Sequence, residues 1–141
     1  MNTVDTGLRI NLLFSSSGEK LFDAWTDPEI MKRWLFKGPH SEIVRVERDL
    51  SVGGRFSIVE RTPEGETDHF GVYRELSRPH RLAFSLEVPA HFDGRTLVEV
   101  DFKQISDASE MCFHQTGVDP SVVEQSWRTM FINLTETLVR E

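Results

Sequence analysis

"VDPSVVEQSWRTMFINLTETLVRE", residues 118–141, closes the chain. Asp119 and Pro120 are a helix start signal: a side-chain oxygen that caps free backbone N–H groups, then a proline whose missing N–H would be unpaired there anyway. Val123, Trp127, Met130, Phe131, Leu134 and Leu138 follow at helical spacing. They make one apolar stripe over about five turns, the face of a long helix lying on a sheet.

What that helix lies on is written in the preceding residues, which read as strands and turns only. "SEIVRVERD" (41–49) is a strand, and the chain turns at Gly53-Gly54 before Phe56 and Ile58 alternate with Arg55 and Ser57. "PEGE" (63–66) is a hairpin turn, and "DHFGVYREL" (68–76) and "RLAFSLEV" (81–88) are strands on either side of "SRPH". "RTLVEVDFKQI" (95–105) and "SEMCFHQT" (109–116) make a last hairpin. Adjacent strands joined by short turns form an antiparallel meander. The Gly53-Gly54 pair lacks the strand-to-helix setting and the Lys-Ser/Thr of a phosphate loop.

Upstream, "LRINLLF" (8–14) puts Leu8, Ile10, Leu12 and Phe14 on one face of a strand. Ser16 with Glu19 has the capping-box spacing, so a short helix should run to about Trp25. Asp27 and Pro28 start a second short helix, which ends near Gly38-Pro39. The corner "AWTDPEIMKRWL" (24–35) holds two of the three tryptophans. Trp25, with Phe22, is expected to anchor the first helix on the sheet, and Trp34 to stand at an opening. The order is strand, two helices, six strands, long helix. This is an α+β domain, residues 1–141, with a curved antiparallel sheet wrapped around the C-terminal helix.

Composition narrows the function. The formal net charge is −7 with no block of Lys and Arg, which argues against nucleic acid and an anionic membrane as partners. No apolar run approaches the roughly 20 residues that span a bilayer. "MNTVDTGLRI" has no basic segment followed by an apolar one, so no secretion signal is expected. Cys112 is the single cysteine, so no intrachain disulfide forms and a reducing cytoplasm is the natural location.

Five pieces in order, "LFDAWTDPEIMKRW" (21–34), "VGGRFS" (52–57), "GVYRELSRPHRLAFS" (71–85), "VEVDF" (98–102) and "SWRTMFINLTETL" (126–138), carry a resemblance. The chain resembles the START/Bet v 1-like (SRPBCC) helix-grip superfamily, in the branch similar to the C-terminal domain of the Hsp90 ATPase activator. The resemblance implies a pocket between the concave face of the sheet and the long helix. Phe56, Ile58, Phe84, Leu86 and Phe102 would line it from the sheet, and Trp127, Met130, Phe131 and Leu134 from the helix, with Trp34 and Phe36 near the mouth. The same residues suit plain core packing, since an aromatic face usually means burial.

A few polar residues stand out. Glu60 shares parity with Phe56 and Ile58, so it is a candidate polar anchor unless the strand twists it out to water. Cys112 and His114 share a face, as a thiolate–imidazole pair would, yet no further ligand stands at metal spacing, so neither a metal site nor a cofactor is expected. His69 and Tyr73 share another face. Three functions follow: a cavity for a small hydrophobic ligand, with Glu60 and His114 as its polar groups; an interaction module for a chaperone of the Hsp90 type; and a cyclase- or hydratase-like enzyme using Glu60, His69, His114 or Tyr73 as acid or base. A monomer or homodimer is compatible with each.

Overall fold

The computed structural model describes residues 7–140. Residues 1–6, which carry part of the secretion-signal reading, lie outside the described residues. Strand β1 (Leu8–Phe14) leads into α1 (Gly18–Thr26) and α2 (Pro28–Met31). Then come β2 (Glu42–Arg48), β3 (Arg55–Thr62), β4 (Gly65–Ser77), β5 (Arg81–Leu86), β6 (Thr96–Ile105) and β7 (Ala108–Thr116), and α3 (Pro120–Val139) closes the chain. The strands form one curved antiparallel sheet in the order β1-β7-β6-β5-β4-β3-β2, so the first strand pairs with the last.

The helix starts are set by the caps the sequence carries. Asp119 accepts from Ser121 N–H and Asp27 from Glu29 N–H, each at 2.9 Å, with proline at the first helical turn. In α1 the cap is Ser17, one residue beyond the expected Ser16, and it accepts from Lys20 N–H at 3.2 Å. The turn-rich run after α2 ends at Phe36, whose φ of 60° is left-handed and stops any helix short of Gly38-Pro39. At Gly54 a Cβ would collide with the Asp49 carbonyl, so the expected tight turn requires a glycine.

The outer face of the sheet is held by charge. The Arg81 guanidinium donates to Glu75 (2.9 Å), Glu99 (2.6 Å) and Asp101 (2.9 Å), across β4, β5 and β6. These bonds push its pKa up, so it stays cationic at any working pH.

The concave face carries the core. Trp25 is fully buried, and its ring lies 4.8–6.4 Å from those of Trp34, Phe84, Phe113, Trp127 and Phe131. Trp34 does not stand at an opening. It is 0 % exposed, meets Trp25 edge to face at 4.8 Å, and donates its indole N–H to the Ala24 carbonyl at 2.9 Å. The turn after α2 folds it back under α1, so both tryptophans of this corner plug the same end of the groove. Trp25→Ala and Trp34→Ala should therefore each cost on the order of 3–5 kcal/mol, and the double variant less than the sum because the two rings touch. Chemical denaturation of the three variants measures this. A small loss at Trp34 alone would contradict the shared plug.

Candidate functional site

At the end of the groove away from this plug, the sheet and α3 enclose a cleft of about 520 Å³. Its floor is apolar. Trp127 and Met130 come from α3, Leu86 ends β5, and Val88 and Phe92 lie on the loop that follows β5. The loop 36–39 forms one side and the far end of the β3–β4 hairpin the other, with Glu60, Thr67 and His69 directed inward. Val123, Gln125, Ser126 and Thr129 form the α3 wall.

Phe36 organises the mouth. Its left-handed backbone turns the ring onto the His69 imidazole, stacked at 4.3 Å and 10°. Its N–H donates to the Met130 sulfur at 3.0 Å, and its ring meets Trp127 edge to face at 5.7 Å. A bulky residue at positive φ costs on the order of 1–2 kcal/mol, which these contacts offset.

His69 is buried, and Nδ1 lies 3.2 Å from the Ile58 carbonyl oxygen. A carbonyl only accepts, so Nδ1 carries the proton of the neutral ring and Nε2 presents a lone pair. Facing Nε2 at 3.8 Å is Glu60 Oε1, on a side chain only 13 % exposed. The strand does not twist Glu60 out to water. Among the described residues, neither Glu60 oxygen receives a hydrogen bond. The Lys37 ammonium, also in the cleft wall, donates to the Gly38 carbonyl at 3.3 Å.

A second polar set is joined by a chain of hydrogen bonds. Trp127 Nε1–H donates to Gln115 Oε1 (2.8 Å), Gln115 Nε2–H to Thr96 Oγ1 (3.0 Å), and the Thr96 hydroxyl to the Leu86 carbonyl (2.8 Å). This chain ties α3 to β7, β6 and β5. The sequence reading missed Gln115, although the signal was present: it shares parity with Met111 and Phe113, so a polar side chain was bound to face inward.

Of the expected lining, Glu60, Leu86, Trp127 and Met130 border the cleft. Phe56, Ile58, Phe84, Phe102, Phe131 and Leu134 face the same interior but are packed into the core beyond it, as Trp34 is. His114 is on the opposite face of the sheet. Met111, Phe113 and Gln115 take the inner face of β7, which leaves Cys112 and His114 outside, with His114 Nδ1 3.7 Å from Glu99. Burial and the neighbouring Glu110 push the Cys112 thiol up, away from a thiolate. Tyr73 faces inward but packs on Phe56 and Phe84, outside the cleft lining, and burial pushes its hydroxyl up to about 12. Among the described residues no three His, Cys, Asp or Glu side chains gather as a metal centre requires, and no helix is long and apolar enough to cross a membrane.

A curved antiparallel sheet closed over a long C-terminal helix, with a cleft at one end of the groove, defines the helix-grip class. The sequence matches the family profile "Activator of Hsp90 ATPase homolog 1-like protein" over residues 15–139, and the chain belongs to that family. Solved structures agree in fold. Protein CV1439 from Chromobacterium violaceum has a TM-score of 0.86 at 19% identity, covering 94% of this chain and 96% of its own. Protein NE0264 from Nitrosomonas europaea has 0.82 at 20% identity, covering 99% and 97%. An AHSA1-like protein from Aeromonas hydrophila has 0.78 at 22% identity, covering 94% and 93%. Comparison with curated protein sequences finds no match.

The His69 environment has a measurable consequence. Burial pushes its pKa below the usual 6.5, against the opposing pull of the Ile58 carbonyl and of Glu60. Between that lowered value and about 6.5 the unfolded chain binds more protons than the folded one, so stability rises with pH across this window. His69 therefore withdraws stability as pH falls through about 6.5. Urea denaturation at about pH 7.5 and about pH 5.5 should show a smaller drop for His69→Gln than for the native chain. Equal drops would mean the imidazole titrates as it does in the unfolded chain.

Proposed function

We propose that this helix-grip protein binds a small molecule with an apolar body in the cleft between α3 and the sheet. The cleft carries the reading: about 520 Å³ falls within the roughly 300–1,000 Å³ of small-molecule sites. Its floor is aromatic and aliphatic, and polar side chains such as Glu60, Thr67, His69, His91 and Gln125 border it. Binding would be driven by burial, each methylene contributing about 0.8 kcal/mol. Orientation would fall to Glu60 and His69. With Glu60 and Glu64 in the lining and a net charge of −7, the protein offers little to a polyanion. The lone Cys112 suits a reducing compartment, so the cytoplasm is the proposed location.

The family description supports a second reading, a module that acts on a chaperone of the Hsp90 type. Enzymatic acid–base chemistry is the third, and its support is the 3.8 Å approach of Glu60 to His69.

An environment-sensitive apolar dye should bind saturably and quench Trp127, the tryptophan at the cleft floor. Ser126→Trp, at an exposed position on the α3 wall, should fill the cleft and weaken the dye by about tenfold or more without unfolding the protein. Nucleotides should not compete. A native protein without saturable dye binding would sink the reading. Stoichiometric capture of a purified Hsp90-type chaperone by that same protein would put the second in its place.

A further inference from the structure

Glu60 and His69 present two hydrogen-bond acceptors to each other. The imidazole proton is committed to the Ile58 carbonyl through Nδ1 at 3.2 Å. Nε2 and Glu60 Oε1 then face each other across 3.8 Å, too long for a direct hydrogen bond, with side chains 6% and 13% exposed. Both side chains line the cleft, so a ligand there reaches the two acceptors, and a mostly buried carboxylate favours a cationic partner. Among the described residues the Lys37 ammonium, also in the cleft wall, makes no ion pair with Glu60 and donates to the Gly38 carbonyl at 3.3 Å, and the His91 ring lies 6.3 Å from that of His69. The α3 wall bordering the cleft has no ionisable side chain. Above the pair lies the Phe36 ring and beyond it the Trp127–Met130 floor.

Given that the cleft binds a small molecule, as proposed above, we infer that the Glu60–His69 pair is a receptor for an organic ammonium carried on an apolar body. A primary or secondary ammonium has at least two N–H groups. One donates to the Glu60 carboxylate and a second to His69 Nε2, so one head group satisfies both acceptors. Its positive charge offsets the cleft-facing carboxylate, and its body lies on Phe36, Phe92, Trp127 and Met130. An alcohol has one proton to donate and no charge. A carboxylate would meet Glu60 as a like charge.

The test uses three probes of one shape, 4-phenylbutylamine, 4-phenylbutanol and 4-phenylbutanoate, titrated by calorimetry into the native protein at about neutral pH. The amine should bind about tenfold or more tighter than the alcohol, and the carboxylate weakest. Glu60→Gln, nearly the same shape, should bring the amine-to-alcohol affinity ratio from about tenfold down to about one. The native protein supplies a readout that does not depend on any variant folding. In long-range ¹H–¹⁵N spectra, the His69 Nε2 resonance should move toward the hydrogen-bonded position with amine and not with carboxylate. Equal binding of amine and alcohol, or an unmoved Nε2, overturns the ammonium assignment while leaving an apolar-ligand cleft standing. Failure of all three probes and of the apolar dye overturns both.

Discussion

The packing around Trp25 is the constraint on which the other parts depend. One indole from a nine-residue helix meets rings from the turn after α2, from β5, from β7 and twice from α3. These five contacts reach four separate segments, so displacing α1 would disturb the sheet and the long helix together. The arrangement has a cost: among the described residues Trp25 Nε1 has no hydrogen-bond partner. An unmade bond of this kind is worth about 1–3 kcal/mol, less than the burial of so large a side chain within a close-packed cluster contributes. The same cluster decides where a cavity can exist. It fills the groove at the α1 end, and space remains only where the rings stop.

Trp127 marks that boundary. One side of its ring packs on Phe113 and Phe131, and its edge meets Phe36 at the cleft. The Gln115–Thr96–Leu86 chain fixes the indole through its N–H, so the floor does not depend on a ligand for its shape. That chain and the Glu60–His69 pair are two inward-facing polar sets, and they differ in a way that separates scaffold from site. In the first each donor atom meets an acceptor. In the second two acceptors face each other.

The sequence made the fold legible because each level pointed to the same answer. The caps at Asp27 and Asp119, the period-two strands and the stripe on α3 agree, and the five quoted segments all lie within the matched residues 15–139. The site was harder to read for two physical reasons. Parity along a strand says which side chains share a face, but on β7 Cys112 and His114 obey the same period as Met111 and Phe113. Only the bulkier apolar pair shows which set is inside. On β3 parity was right for Glu60, yet no pattern in one strand reveals that His69 on the neighbouring β4 supplies its counterpart. Trp34 was misplaced because the backbone reverses between α2 and β2, and a turn ending in a left-handed phenylalanine has no clear sequence signature. Aromatic type marks a residue for burial without saying whether it fills space or borders it.

Phe36 shows how the scaffold reaches the chemistry. Its backbone is held in a disfavoured region by the Met130 sulfur, and Met130 belongs to the α3 stripe that anchors the fold. That position lays the ring on His69, which removes the imidazole from water. Loss of water is the leading reason that His69 resists protonation. A neutral imidazole with its proton held on the Ile58 side leaves Nε2 as an acceptor beside Glu60. A protonated one would turn Nε2 into a donor and close the pair on itself. The acceptor character of the cleft therefore traces back through one ring and one sulfur contact to the helix stripe that defines the fold.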